Sequence, residues 1–306
     1  MLHLTKRLLV GGILLTICFG LFCLDYAFKT FYLYYVMTAF LIGAGLVEFY
    51  GLVERRGIRP HKYLGVICGT VLAVSSKELW GALLGLPSIS AHRIANIVSL
   101  LAVSAVIVSV FIQQILKRSN NDAFTDIAAT FFGVIYIGFL GSFFVKIRHL
   151  YDGRAFADFH YELGNFLFIL LVLFACKGGD VAAYLVGRKF GRHPLIPEIS
   201  PKKTVEGGLA ALAFGVLLGL VWGVIFGPWL HFKWFYGMIF GIVLAGAGLA
   251  GDLAESLTKR KLAVKDAANY IPTFGGVLDL IDAPLFAAPA VYYAWVLIDT
   301  LRYKAI

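Results

Sequence analysis

Long apolar stretches dominate this chain, and they leave it few ways to fold. A helix needs about 20 apolar residues to cross the hydrocarbon core of a bilayer. Stretches of that kind lie at residues 8–24, 31–53, 63–83, 94–115, 124–146, 164–187, 208–230, 234–257 and 283–300. Helices buried in lipid are apolar all round, so the one-sided stripe of a soluble helix is not the pattern to seek. The composition agrees: of 306 residues, 60% are hydrophobic and 15% charged, with a mean hydropathy of +0.83. A soluble domain holds about 45–50% apolar and about 25% charged residues. The expectation is an all-α polytopic membrane protein with about nine transmembrane helices.

Two of these runs carry irregularities. The third contains Lys77 and Glu78, which either pair as neighbours or mark a break in the span. The last contains Pro284 and Pro289, which predict a kink. The first has a basic start at Lys6 and Arg7 but no small-residue cleavage pattern, so it reads as a retained helix. Cys18, Cys23, Cys68 and Cys176 show no CxxC spacing and sit in apolar segments, which predicts small buried hydrophobes. Glycines within the runs, such as Gly215, Gly219 and Gly241, predict close helix packing.

The net charge of +9 raises nucleic acid as a partner, but its distribution argues against one. With the N-terminus in the cytoplasm, the internal loops hold 17 Lys and Arg residues and the external side 8. The positive-inside rule favours that orientation. It places loops 188–207 and 258–282, the two richest in unusual polar residues, where a soluble nucleotide can reach them.

Charges at a bilayer boundary are costly unless paired, metal-bound or solvated, so both loops are candidate sites. The first block starts inside the sixth run with Lys177-Gly178-Gly179-Asp180 and continues through Tyr184, Arg188 and Lys189. It closes on Ser200-Pro201-Lys202-Lys203-Thr204-Val205-Glu206-Gly207. Asp180 and Tyr184 are four apart and share a helix face. Ser200 followed by Pro201 predicts a helix N-cap, and a helix start bearing Lys202, Lys203 and Thr204 is a good anion site. In the second block Asp252, Glu255, Ser256, Lys259 and Arg260 fall on one face if the eighth run stays helical. Gly275-Gly276 permits a tight turn before Asp279 and Asp282, which are three apart. Carboxylates from two segments suit a divalent cation with oxygen ligands, and the cations suit phosphates. A membrane-surface salt-bridge cluster is the competing reading. Neither block has the spacing of a P-loop, a zinc protease or a Ser-His-Asp site.

Together the blocks closely resemble the phosphatidate cytidylyltransferase (CDP-diacylglycerol synthase) family. That signature runs Ser-x-x-Lys-Arg, four residues, Lys-Asp, then Pro-x-His-Gly-Gly-x-x-Asp-Arg-x-Asp. Ser256, Lys259, Arg260, Lys265, Asp266, Pro272, Gly275, Gly276, Asp279 and Asp282 match at the right spacing. The upstream block is similar too, and the match covers roughly residues 177–285. Two positions depart: Phe274 stands where the family has His, and Leu280 where it has Arg.

The resemblance implies transfer of CMP from CTP to phosphatidic acid, giving CDP-diacylglycerol and pyrophosphate in phospholipid biosynthesis. It implies Mg²⁺, one ion or two, on Asp252, Asp279 and Asp282, with Lys259, Lys265 and Asp266 completing the catalytic set. Asp180, Tyr184, Ser200, Lys202, Lys203, Thr204, Glu206, Ser256, Arg260, Gly275 and Gly276 are then expected to bind substrate. Residues 1–160 are expected to form lipid-facing, packing helices, and 161–306 a catalytic transmembrane region. A homodimer in a bacterial inner membrane, with its site facing the cytoplasm, is the implied setting. The alternatives are a divergent member using another lipid phosphate, one that has lost activity, and a transporter built on Lys77, Glu78, Lys177 and Asp180.

Overall fold

In the computed structural model, residues 16–17, 19–28, 30–116, 122–150, 159–228, 230, 233–262 and 275–303 are described, with side chains omitted at 159–162 and 302–303. They form two compact units. One comprises Met1–Val145 with Leu262–Ile281, the other Lys146–Lys261 with Asp282–Ile306. These are bounds of packing; the division at residue 160 was one of motif content.

The first unit holds helices α1 (Tyr32–Glu54), α2 (Lys62–Val74), α3 (Lys77–Leu84), α4 (Ser88–Leu116) and α5 (Ala123–Gly133). A π-helical stretch, Val134–Phe139, joins α5 to α6 (Leu140–Arg148). The start of α1 is capped by Asp25, whose carboxylate accepts from Leu33 N–H at 3.1 Å and Tyr34 N–H at 2.9 Å. Tyr50 is the pivot of the packing. Its hydroxyl donates to the Thr130 carbonyl at 2.8 Å, and its ring fills the space left by Gly65 on α2 and Gly133 on α5. The π-helical stretch lies close against α2, where a Cβ on Gly138 would stand 2.7 Å from Gly69 Cα.

The third apolar run is a bent pair: α2 and α3 meet at 88°. Both predicted features occur together. The chain is extended at Ser75 and Ser76, and Ser76 Oγ caps α3 by accepting from Leu79 N–H at 3.2 Å. Ser76 Oγ also lies 2.5 Å from the Tyr35 hydroxyl, while Trp80 Nε1 donates to Ser75 Oγ at 3.1 Å. Side chains thus satisfy the polar groups that the break exposes. Lys77 pairs with Glu78 at 3.4 Å.

The second unit holds α7 (Phe159–Phe190), a hairpin of β1 (Pro194–Ile196) and β2 (Ser200–Thr204), α8 (Val205–Phe226) and α9 (Trp234–Lys261). It also holds most of α10 (Val277–Tyr303). Along α8, Gly215, Gly219 and Gly223 recur every four residues, and Gly237, Gly241 and Ala245 do so along α9. A Cβ on Gly219 would overlap the Gly237 carbonyl, and one on Gly241 the Gly215 carbonyl. Small residues here let two backbones touch, the contact that drives helix association where lipid removes the hydrophobic difference. Phe168 packs beside this seam against Trp222, Phe240 and Trp295, with ring centroids 4.7, 5.3 and 5.3 Å away.

Among the described residues, seven helices are long and apolar enough to span a membrane, or eight with the bent pair. The first apolar run lies mostly outside the described residues. The helix after the Lys-Lys block does not start at Ser200. Residues Ser200–Thr204 are a strand, with Pro194 opposite Thr204 and Ile196 opposite Ser200. Pro201 is tolerated because a two-stranded hairpin consists of edge strands. The cap is Thr204, whose Oγ1 accepts from Gly207 N–H at 3.2 Å. The last helix begins at Val277 and contains both prolines. Of the cysteines, Cys68 and Cys176 are buried as expected, but Cys23 is exposed.

The glycine seam yields a stability prediction. Gly219→Val drives a branched side chain into the Gly237 carbonyl. Overpacking costs about 1–3 kcal/mol, and a backbone obstacle puts this change near the upper end. A clear fall in the thermal unfolding midpoint in detergent is expected, whereas Leu217→Val on an exposed face of α8 leaves it nearly unchanged. Equal midpoints for the two variants would remove the seam from the stabilising contacts.

Candidate active site

Charged side chains gather in the second unit near the C-terminal ends of α7 and α9, at the start of α8 and on α10. Asp252 and Glu255 sit one turn apart near the end of α9, and Asp282 lies on α10. One carboxylate oxygen from each falls within 4.8 Å of the others. Glu255 and Asp282 are buried, and Asp252 is half-buried. The close approach of α9 and α10 follows from Gly251: a Cβ there would stand 2.8 Å from the Asp282 carbonyl and 3.0 Å from Ala283 Cα. The residue after that glycine is Asp252, so the backbone contact itself delivers one carboxylate to the other.

Each of the three carboxylates has a lysine. Lys203, from β2, forms an ion pair with Asp252. Lys259, one turn beyond Glu255 on α9, reaches its Oε1 at 2.7 Å. Lys177, inside α7, reaches Asp282 Oδ1 at 3.5 Å. Burying a charge is expensive unless it is paired, and deleting one partner leaves the other stranded. The cluster is therefore held together from α7, the hairpin, α9 and α10. Asp180, one turn beyond Lys177, lies within electrostatic reach of Lys177, Lys203, Asp252 and Asp282.

The other expected residues occupy distinct places. Tyr184, exposed on α7, receives a hydrogen bond from Arg188 Nη1 at 3.3 Å. Ser200 and Lys202 lie on β2, with Lys202 exposed beside the paired Lys203. Thr204 caps α8. Glu206, in the first turn of α8, fastens the hairpin: its Oε1 lies 2.7 Å from His193 Nδ1 and accepts from His193 N–H at 3.3 Å. Gly187 and Gly207 let α7 and the start of α8 meet closely, since a Cβ on Gly207 would stand 2.8 Å from the Ala183 carbonyl. Ser256 is half-buried and Arg260 exposed on the predicted face of α9, which stays helical through Lys261.

Gly275, Gly276 and Asp279 belong to the first unit. Gly275 has φ +92°, so the turn uses glycine's conformational freedom. Asp279 Oδ2 accepts from Gly276 N–H at 3.1 Å. Lys265, Asp266 and Phe274 lie outside the described residues.

Three residues carry more than the sequence pattern shows. Glu255, on the polar face of α9, completes the carboxylate group. Lys177, which the sequence marks as an intramembrane cation beside Asp180, holds Asp282. Glu48 on α1 was not singled out at all, although its carboxylate accepts from Val277 and Leu278 N–H at 2.9 and 2.8 Å. The available signal was a carboxylate inside an otherwise apolar run.

The chain is similar to known proteins along most of its length. It is 30% identical over 280 residues to the phosphatidate cytidylyltransferase of Synechocystis sp., covering 85% of this chain and 87% of that protein. It is 30% identical over 258 residues to the phosphatidate cytidylyltransferase of Bacillus subtilis, covering 84% and 87%. Against phosphatidate cytidylyltransferase 5, chloroplastic, of Arabidopsis thaliana it is 29% identical over 279 residues, covering 84% of this chain and 64% of that one. The pattern of the Cytidylyltransferase family matches residues 5–298, from before the first described helix to near the end of α10. That match takes in the packing helices as well as the charged cluster, and on it this integral membrane protein belongs to the cytidylyltransferase family.

Proposed function

We propose that the protein transfers CMP from CTP to phosphatidic acid, forming CDP-diacylglycerol and pyrophosphate. The observation that carries this reading is the group of three carboxylates, each matched by a lysine, at the ends of membrane-spanning helices. The similar proteins of Synechocystis sp. and Bacillus subtilis are named for the same transfer. A lipid phosphate oxygen attacks the α-phosphorus of CTP. The new P–O bond forms as the bond from that phosphorus to the β-bridging oxygen breaks, and pyrophosphate leaves with the electron pair. The nucleophile is already anionic, so no covalent enzyme intermediate is required. The protein's task is to bring two polyanions together and stabilise the charge that moves onto the leaving group.

The donor set fits a hard divalent cation, which prefers carboxylate oxygens. Asp252, Glu255 and Asp282 would hold it, with Asp279, one turn earlier on α10, proposed as a further ligand. Bound there, Mg²⁺ would supply Lewis-acid polarisation of the phosphate. Lysine carries a point charge on a flexible four-carbon stem. Lys177, Lys203 and Lys259 can therefore turn from carboxylates to substrate phosphates, with Lys202 and Arg260 exposed beside them. Lys265 and Asp266 keep their expected place in the catalytic set. Acyl chains stay in lipid while the phosphate enters the charged cluster.

The same reading places the N-terminus and the charged loops in the cytoplasm of a bacterial inner membrane, supported by the 17 to 8 division of Lys and Arg. A homodimer is the proposed assembly. A second reading, transfer to a different lipid phosphate, draws on Phe274 and on Leu280, which is half-buried on α10 where the family has an arginine.

Pyrophosphate release by the purified protein in mixed micelles tests the chemistry. Release is expected only when CTP, Mg²⁺ and phosphatidic acid are all present, with CDP-diacylglycerol formed in step. Release with another lipid phosphate alone would select the second reading. Asp282→Asn and Asp279→Asn should each lower turnover by about 10²-fold or more while the protein still inserts. Full turnover in both would remove the metal proposal. For orientation, Lys202→Cys in a background lacking the native cysteines should react with an impermeant maleimide only from the cytoplasmic side. Labelling from outside would reverse the topology.

A further inference from the structure

The helix that carries Asp279 and Asp282 has an unusual start. The N–H groups in the first turn of any helix have no acceptor within it, and a side chain just before the helix normally supplies one. Before α10 stand Gly275 and Gly276, which have no side chains to offer. The acceptor comes instead from α1, 229 residues away in sequence. Glu48 Oε1 accepts from Val277 N–H at 2.9 Å and Oε2 from Leu278 N–H at 2.8 Å. Both oxygens are used, on adjacent amides.

Gly276 makes room for this arrangement. A Cβ there would stand 2.9 Å from the Glu48 carboxyl carbon and 3.1 Å from Oε1. The Gly276 N–H is taken by Asp279 Oδ2 at 3.1 Å. Three consecutive amides are thus met by two carboxylates. The cap also fixes the rotation of the turn from which Asp279 projects, and Asp282 follows three residues on.

We infer that Glu48 is a positioning residue for the reaction: it caps the first turn of α10 from α1, and so sets the start of the helix that bears Asp279 and Asp282. The inference rests on the cytidylyltransferase reading above. Glu48 touches no reacting group, so its effect should fall on kcat rather than on KM.

The test combines kinetics with hydrogen exchange of the full-length protein in micelles. Glu48→Gln keeps the size but presents an NH₂ group to one amide. It is expected to lower kcat roughly ten- to hundredfold, with KM for CTP and for lipid little changed. Exchange in the peptide containing Val277 and Leu278 should rise. Glu48→Asp retains the charge and should keep more of the activity than Glu48→Gln. Gly276→Ala, which pushes the carboxylate away, should reproduce the defect, and the double variant should be little worse than either single one. Unchanged exchange in Glu48→Gln would overturn the cap. Raised exchange with unchanged kcat would overturn the positioning role. A wild-type protein without cytidylyl transfer, but with exchange raised in Glu48→Gln, would overturn the functional reading and the positioning role while the cap stood.

Discussion

The pairing of buried charge is the constraint on which the second unit depends. Lys177 lies within a span, where an isolated ammonium is costly. It is kept there by Asp282 on a different helix. Glu255 is equally buried and is kept by Lys259 on its own helix. Asp252 faces Lys203, which arrives on the hairpin. No one segment satisfies its own charges, apart from the α9 pair. Assembly of these helices is thus tied to assembly of the site, and a change that separates α7 from α10 strands both Lys177 and Asp282.

Close packing supplies the distances that the charges need. Gly251 brings the α9 backbone against Asp282 and Ala283, and Asp252 follows directly. Gly207 does the same between α8 and the Ala183 carbonyl of α7, beside the hairpin that presents Lys203. The α8–α9 seam extends the same device along the span. Glycine is expensive in an exposed helix, but in lipid the return is van der Waals and backbone contact. The helices beneath the site meet without intervening side chains.

How much of this was legible depends on the kind of interaction. The spans were readable because a bilayer turns hydropathy into a nearly one-dimensional code. The polar face of α9 was readable because helical spacing fixed it, and Asp252, Glu255, Ser256, Lys259 and Arg260 do share one helix. The composition of the carboxylate group was less readable. Asp279 and Glu255 look alike in sequence, and only tertiary packing gathers Glu255 with Asp252 and Asp282. Ser200-Pro201 has the chemistry of a helix start, yet pairing with Pro194–Ile196 draws it into a strand and passes the cap to Thr204. Glu48 escaped notice because its partners are backbone amides, which leave no trace in side-chain patterns.

A cluster of matched charges also explains how a membrane protein can wait for two polyanions. In the structure the lysines and carboxylates neutralise one another, so the cluster carries little uncompensated charge. On the proposed reading, carboxylates would turn to the cation and lysines to phosphate, so each buried charge would change its partner rather than lose one. Arginine, with its fixed fork, suits a permanent carboxylate pair better than such an exchange. All three carboxylates are held by lysine, while Arg188 and Arg260 lie exposed, an arrangement that would suit such an exchange.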